Sequence, residues 1–328
     1  MSLEDLGIEG YEPEPDKPLC IDGDIVLYQP CCVYNEDTDA ARRGIAKAIG
    51  QKIDQLMEAS GCNQYIFFVT TKLNFRDWIV DDYKANRSDV ERPVNLAWAK
   101  TWAVEHLNCH YKKYMEADDL LGVFMNNNPG AVLWSIDKDL RQIPGAHLDD
   151  DTKAVIDIGD EGILRVDLVT SQETGKTKKK VYFTGTIGLH YQMLVGDSTD
   201  WIVGCGTREE AQWKSGPNKG ESYIRRKGVG SLAAVKLLLN AVVYKGEASS
   251  NDVALGVVLD QYKSKFGDDW QVRLEDQANL LFMTRVQSGN MIKRWTFDDR
   301  EEWMNITTGD YYDKADSKEP FRTSNVKS

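Results

Sequence analysis

The chain has 328 residues, 41% of them apolar, enough to bury a full core in one large domain or two closely packed ones. Lys and Arg number 40 against 52 Asp and Glu, a net charge of −12 with a pI near 4.9, which on bulk charge alone argues against nucleic acid as a partner. That acidity is local: residues 1 to 24 hold eight acids against the single base Lys17, a net of −7, and the rest of the surface is closer to balance.

No run approaches the ~20 apolar residues that span a bilayer, and the acidic start lacks the basic and apolar regions of a secretory signal. A soluble, cytoplasmic protein without membrane contact is expected. Six cysteines (Cys20, Cys31, Cys32, Cys62, Cys109, Cys205) form no C-x-x-C pair, and the histidines lie scattered at 106, 110, 147 and 190. This excludes a zinc ribbon and fits a reducing compartment, with most thiols as small core residues.

Residues 1–18, acidic and carrying Pro13 and Pro18, read as a leader outside the core. The run Cys20 to Tyr28 reads as a first strand, with Asp22 and Asp24 two apart on one face. A helix is expected from there to about residue 59, with Ile45, Ile49, Ile53 and Leu56 at helical spacing. Tyr65 to Thr70 and Ala131 to Ile136 are further buried strands. This alternation predicts an α/β core over 19–185, with a mainly parallel central sheet flanked by helices.

Between about 72 and 114 lies a charged and aromatic stretch (Phe75, Trp78, Tyr83, Lys84, Arg87, Arg92, Trp98, Trp102) that reads as an insertion over the sheet edge. Residues 153 to 184 alternate as strands, with Gly175 and the lysines 176, 178, 179 and 180 at a hairpin tip. From 186 the pattern is helical to about 288, giving a helical region over 186–304, and 305–328 is a polar tail.

Acids recur where strands end and apolar helices begin. Asp22 and Asp24 sit in the first apolar run, Glu116-Ala-Asp-Asp119 opens a helix, Asp137-Lys-Asp139 follows a strand, and Asp197 and Asp200 precede another helical stretch. In a parallel sheet the carboxyl ends of the strands converge on one crevice, which would gather nine carboxylates. Such a group repels itself unless neutralised. Oxygen donors without Cys or His favour Mg²⁺ or Mn²⁺ over Zn²⁺, and two such ions ~4 Å apart suit phosphoryl transfer to water. For any single cluster the alternative is a helix N-cap or dipole partner.

The motifs Ile21-Asp-Gly-Asp24, Asp82-Tyr-Lys-Ala-Asn-Arg87, Glu116-Ala-Asp-Asp-Leu120, Ser135-Ile-Asp-Lys-Asp-Leu140 and Val195-Gly-Asp-Ser-Thr-Asp200, in that order, resemble the flap endonuclease or 5′-nuclease superfamily. Within it they are most similar to the replication exonucleases of T-odd phages. The resemblance runs from about Cys20 to Leu239 and implies a PIN-like 5′-nuclease fold with a helical arch and a C-terminal helical DNA clamp. It implies a first metal site from Asp22, Glu116 and Asp118, and a second from Asp118, Asp137, Asp139, Asp197 and Asp200, with Asp119 helping to hold the cluster. Lys84 and Arg87 would meet the phosphate being cut, beside Asp118 as the shared catalytic ligand. Implied partners are duplex DNA with a 5′ end or flap, an RNA–DNA hybrid and other replication proteins, in a host cytoplasm if the chain is phage-encoded.

The family's helix-turn-helix clamp grips duplex phosphates, sometimes with K⁺. Here a polar insertion delays its Gly-x-Gly turn to Gly228-Val-Gly230. Residues 203 to 230 carry six bases, Arg208, Lys214, Lys219, Arg225, Arg226 and Lys227, against three acids, and with Gly228 and Gly230 read as the duplex-gripping surface. Phe75 or Tyr83 would stack on an unpaired terminal base, whereas Trp98 and Trp102 are expected to pack the arch. One departure stands out: Thr71 replaces an Asp usual after the second strand, so either the first ion is held more weakly, or Asp24 compensates from the face of Asp22, or activity is impaired. Two rivals follow. A haloacid-dehalogenase-type phosphatase would use Asp22 as nucleophile and Asp24 as acid, and a DNA-binding protein impaired in catalysis would follow from Thr71.

Overall fold

The computed structural model describes residues 17–87, 90–171, 174–243, 249–298 and 300–313. Strand β1 (Pro18–Asp22) leads directly into helix α1 (Gly23–Val33), followed by α2 (Asp39–Ser60) and β2 (Gln64–Phe68). Helix α3 (Leu96–His106) precedes the short β3 (Cys109–His110), and α4 (Ala117–Asn127) precedes β4 (Val132–Trp134), β5 (Gly145–Leu148) and β6 (Val155–Ile158). These six strands form one sheet in the order β3-β2-β1-β4-β5-β6, parallel except for β6 against β5. The central, mainly parallel sheet flanked by helices is the architecture that the alternation of elements predicts.

Strand parity decides which layer each side chain joins. Leu19 and Ile21 of β1 pack with α1, α2 and α3 through Leu27, Ile45, Ile49, Ile53 and Ala103. Cys20 faces the other way, onto Leu121 and Met125 of α4. Asp22 shares the parity of Cys20, so it ends β1 on the α4 side. The order of strand addition reverses at β1, with β2 and β3 on one side and β4 and β5 on the other, and the crevice at the carboxyl ends of β1 and β4 lies at this switch point.

The first strand is shorter than expected. Asp22 has extended backbone (φ −66°, ψ 98°) and stands at the N-cap of α1. A Cβ on Gly23 would lie 2.4 Å from the Phe67 ring and 2.5 Å from the Phe68 carbonyl oxygen, so the abrupt strand-to-helix corner requires glycine. Asp24 therefore belongs to the first turn of a helix, not to the strand face of Asp22. The expected single helix to about 59 is two, separated at Tyr34 to Thr38. Thr38 caps α2 by accepting from the Ala41 amide (3.1 Å), and Gly61 (φ 67°) ends it.

A hairpin of β7 (Leu164–Thr170) and β8 (Thr177–Phe183) leads to α5 (Gly185–Val195). A second hairpin, β9 (Gly206–Gln212) with β10 (Ser222–Gly228), stands where a helical pattern was expected; its residues alternate in-register across seven cross-strand pairs. Helices α6 (Ser231–Val243), α7 (Ser250–Phe266) and α8 (Trp270–Leu281) then close a second core with α5, built on Met193, Leu238, Val258, Tyr262 and Leu274. The described residues close with a four-stranded meander, β11 (Gln287–Ser288), β12 (Met291–Lys293), β13 (Glu302–Asn305) and β14 (Tyr311–Asp313), so part of the expected polar tail is structured. Residues 1–16 of the expected leader and 314–328 of the tail lie outside the described residues. No helix among the described residues is long and apolar enough to cross a membrane.

Candidate functional site

The predicted acids come from four elements: Asp22 from the end of β1, Glu116, Asp118 and Asp119 from the start of α4, Asp137 and Asp139 from the turn after β4, and Asp197 and Asp200 from the loop after α5. They divide by how their charge is met.

Asp22, Asp118 and Asp137 form one group. Asp22 is buried, 3% exposed, and its Oδ2 accepts from the Ser135 hydroxyl at 2.7 Å; that same hydroxyl oxygen accepts from the Asp137 amide at 2.9 Å. Ser135 thus ties the ends of β1 and β4 together. Burial first, and then the charges of Asp24 and Asp137, push the Asp22 carboxyl up to about 7. Burial, with Asp22, Asp137 and Glu116 behind it, pushes Asp118 well above the carboxylate range. Among the described residues none of these three is in an ion pair.

The other acids are neutralised by fixed cations. Lys138 places Nζ 2.6 Å from Asp197 and 3.1 Å from Asp139, and Gln192 donates to Asp139 at 2.7 Å. Burial and Asp137 lift Asp139 to about 7 despite Lys138, while Asp197, opposed by burial, is held low by Lys138. Lys84 bonds Glu116 and lies 3.5 Å from Asp200, which also pairs with Arg87. Burial works against the Glu116 charge, yet Lys84 and Arg76 bring its pKa down to about 2. Lys84 holds a left-handed backbone (φ 55°), and its amide is fixed to the Asp200 carbonyl at 3.1 Å. This is a strained conformation for a lysine, kept where two acids and a backbone bond over-determine it.

Arg76 is the site residue that the sequence reading missed. It is 1% exposed and makes a two-pronged bond to Asp119 (2.6 and 2.9 Å), a bond to Glu116 (3.2 Å), and bonds to the carbonyls of Leu280 and Phe282 at 3.0 Å. Both Asp119 oxygens are engaged by this guanidinium, and one also accepts from the Thr284 amide. Asp119 therefore anchors α4 to α8 through Arg76 instead of facing the crevice. The signal was an arginine within the charged 72–114 stretch, which no spacing marks as buried.

The aromatic expectations change. Phe75 is buried with Met115, Ile292, Met304 and Ile306, so it offers no face to a base. Tyr83 directs its hydroxyl at Glu116 (2.9 Å) and Asp200 (3.4 Å), which makes it a support of the acids and not a stacking platform. Trp98 and Trp102 stack on each other (centroids 6.2 Å apart) against the α1–α3 layer, as packing residues. The described residues of the 72–114 insertion hold short 3-10 turns at Phe75–Trp78 and Ala85–Arg87 and one α-helix, α3. The Thr71 hydroxyl lies 3.4 Å from the carbonyl oxygens of Leu73 and Lys112, and Asp24 is tied to Lys100 (2.7 Å) and the Thr70 amide (3.2 Å). Asp24 is thus held by Lys100 and Thr70, against both expected roles, the compensating ligand and the acid of a phosphatase pair.

In the 203–230 region, Lys214 and Lys219 are exposed at the tip of the β9–β10 hairpin. Arg225 and Lys227 share Glu209 (2.9 and 3.2 Å), and Arg208 bonds Asp82 beside the Tyr83–Arg87 segment. Arg226 is a correction: its guanidinium turns inward to the carbonyls of Leu194 (2.6 Å), Val203 (2.6 Å) and Val229 (2.9 Å), so it holds the hairpin to α5 and does not face a duplex. Gly228 closes the hairpin opposite Gly206, and Gly230 opens α6, accepting from the Ala234 amide, so the glycine turn does lead into a helix.

The donor set of Asp22, Asp118 and Asp137 is hard carboxylate oxygen without an ion-pair partner among the described residues, and this fits a divalent cation. Among the described residues no three His, Cys, Asp or Glu side chains yet surround one point closely enough to hold a metal ion, so the ligands would have to close around it.

No family model and no curated protein matches the chain. Solved structures similar to it include the 5′-exonuclease of T5 with bound zinc (13% identity, TM-score 0.45, covering 81% of this chain and 100% of that one). Another is the bacteriophage T5 flap endonuclease in a product complex with DNA and metal ions (12% identity, TM-score 0.44, covering 81% and 99%). At this level of similarity any function rests on the chain's own residues.

Proposed function

We propose that the chain is a metal-dependent 5′ nuclease that hydrolyses phosphodiesters of duplex DNA near a 5′ end or flap. The observation that carries this reading is the crowding of Asp22, Asp118 and Asp137 without a fixed cation, with Lys84 and Arg87 on the rim of the same crevice. Buried like charges at close range favour a counter-ion of high charge, and the rim cations suit an incoming phosphate.

In this reading Asp22, Asp118 and Asp137, with Glu116 alongside, would hold Mg²⁺, for which Mn²⁺ would substitute. Bound there, the ion would supply a Lewis acid and activate water as nucleophile. Asp139, Asp197 and Asp200 belong to a second, weaker site, because Lys138, Lys84 and Arg87 already compensate them. Lys84 and Arg87 exchange their carboxylate partners for phosphate oxygens of the substrate and stabilise charge that develops there. Ser135 fixes the spacing of Asp22 and Asp137, and Arg76 and Tyr83 hold Glu116 in place. The 5′ polarity, and a part in phage replication or degradation of host DNA, rest on the resemblance of the five ordered motifs.

A titration of Mg²⁺ with duplex and flap substrates labelled at either end tests the reading. Short products released from the 5′ side in wild type, and their absence in Asp118→Ala with duplex binding retained, are expected. Metal-independent release, or a phosphorylated protein trapped at Asp22, overturns it.

A further inference from the structure

The lysines at the tip of the β7–β8 hairpin have no part in the crevice, yet they lie on a line that starts there. We infer that one face of this hairpin is a phosphate-binding track that extends the nucleic-acid surface away from the cleavage site; this rests on the nuclease reading above.

The hairpin is rooted on the acidic segment itself. The Arg141 guanidinium lies 5.2 Å from the Tyr182 ring, and Lys138 Nζ lies 5.6 Å from the Phe183 ring. On the opposite strand Arg165 stacks on Tyr182 at 4.0 Å. Cross-strand register pairs Arg165 with Tyr182, Asp167 with Lys180 and Val169 with Lys178. Because side chains alternate across a strand, these six share one face, while Lys179 lies on the other face, opposite Leu168. From the root outward that face reads Arg141, Tyr182, Arg165, Lys180, Lys178.

Charge on the line is graded. Arg141 is met by Asp149 at 3.5 Å and Arg165 by Asp167 at 2.9 Å. Lys178 and Lys180 are exposed, and among the described residues no carboxylate forms an ion pair with either. The net charge of the track is therefore positive at its outer end, in a protein of net charge −12. Seven residues of strand rise ~23 Å, about the length of seven nucleotides along one strand of a duplex. A regular row of cations on a rigid pleat matches a regular row of phosphates, whereas the exposed arginine-on-tyrosine stack adds a planar donor at the inner end.

Each phosphate neutralised by a lysine contributes about 0.9 to the slope of log affinity against log salt. Binding of a fluorescent flap duplex with arms of at least ~20 base pairs is measured in EDTA over a series of salt concentrations, for wild type, Lys178→Ala/Lys180→Ala, Lys178→Arg/Lys180→Arg and Lys179→Ala. The double alanine variant is expected to lower the slope by about 2 and the low-salt affinity roughly tenfold. The arginine pair keeps both, and Lys179→Ala changes the slope by less than half as much as the double variant. An unchanged slope in the double alanine variant, with a wild type that binds and cleaves, overturns the track and leaves the nuclease reading standing. An equal loss in Lys179→Ala overturns the assignment to one face. A wild type that neither binds nor cleaves overturns the nuclease reading, and the track with it.

Discussion

The two halves of the acidic crevice solve the same problem in opposite ways. Asp139, Asp197, Asp200 and Glu116 sit against Lys138, Lys84, Arg87 and Arg76, so the fold carries its own counter-charge there. Asp22, Asp118 and Asp137 form no ion pair among the described residues: Asp22 meets a serine hydroxyl and Asp137 a backbone amide. Burial first, and neighbouring acids after it, raise Asp22 and Asp118, and Asp139 across the divide as well, so the ion pairs and not the pKa values mark the two halves. A half that is already neutral can be built for structure alone. A half left charged costs folding free energy unless something from outside completes it, and that difference points to where a divalent ion and then a substrate would bind.

The largest effect is expected where the uncompensated half is broken. Asp118→Ala should lower cleavage on the order of 10³-fold, since a group that stabilises the transition state is lost. In the metal-free protein the same change removes a buried carboxyl that no ion pair offsets, so its melting temperature should equal or exceed that of wild type. Asp197→Ala, which strips Lys138 of a partner, should lower it. Differential scanning of both apo variants separates the halves without any assay of activity, and equal shifts in both would erase the distinction.

Arg76 tests the compensated half at its most buried point. Removing one member of a buried, hydrogen-bonded pair costs about 3–5 kcal/mol, because the partner charge is stranded. Arg76→Met should therefore destabilise the fold by that amount in urea, through Asp119, which is fully buried. Arg76→Met/Asp119→Leu should recover most of it, as an apolar pair leaves no charge behind. Failure of the double variant to recover would mean that the contacts of Arg76 with the Leu280 and Phe282 carbonyls carry the stability instead.

Much of this was legible in the sequence. The alternation of apolar runs with helical spacing is set by local periodicity, and it placed the parallel sheet and the acids at its strand ends. What escaped depended on long-range partners. Arg76 meets Asp119 across 43 positions and Leu280 across 204, and no local pattern records such a bond. Apolar spacing extends the first strand from Cys20 to Tyr28 because Ile25 to Tyr28 is apolar in either conformation, and only the space around Gly23 ends it at Asp22. The charges of Arg208 to Glu210 obscure the alternation of the β9–β10 hairpin, so its sequence does not mark it as strand. Arg226 counted as a DNA contact on charge alone, although the three carbonyls that hold it come from segments on either side.

Two histidines show a third way to bury an ionisable group, by keeping it neutral. Burial lowers His147 to about 4 despite its bond to the Ile143 carbonyl, and lowers His190 in the second core to about 4 as well. A base whose folded pKa lies below its unfolded value of 6.5 binds fewer protons folded than unfolded between those two points. Stability is then complete above about pH 6.5 and falls as pH drops toward 4, by about 3 kcal/mol for each histidine. Asp22 and Asp139, raised to about 7, act in the opposite sense over the same range, so the histidine contribution is read as a difference between two proteins. His190→Gln should lose less stability than wild type between pH 7.5 and 4.5 in urea, by about 3 kcal/mol, and an equal loss in both would assign the acid sensitivity to other groups.

The smallest effect bears most directly on the contrast between the halves. Lys138 is half exposed, so its bonds to Asp139 and Asp197 are screened and contribute only about 1 kcal/mol. Lys138→Met would turn a compensated pair into an uncompensated one, with Gln192 still bound to Asp139. If the ammonium and a divalent ion compete for the same oxygens, the weaker class of Mn²⁺ sites seen by calorimetry should tighten about fivefold in the variant. The tighter class, assigned to Asp22, Asp118 and Asp137, should not move. Tightening of both classes would mean that Lys138 acts on the crevice as a whole through its field, and no change in either would mean that Asp139 and Asp197 have no affinity for the ion.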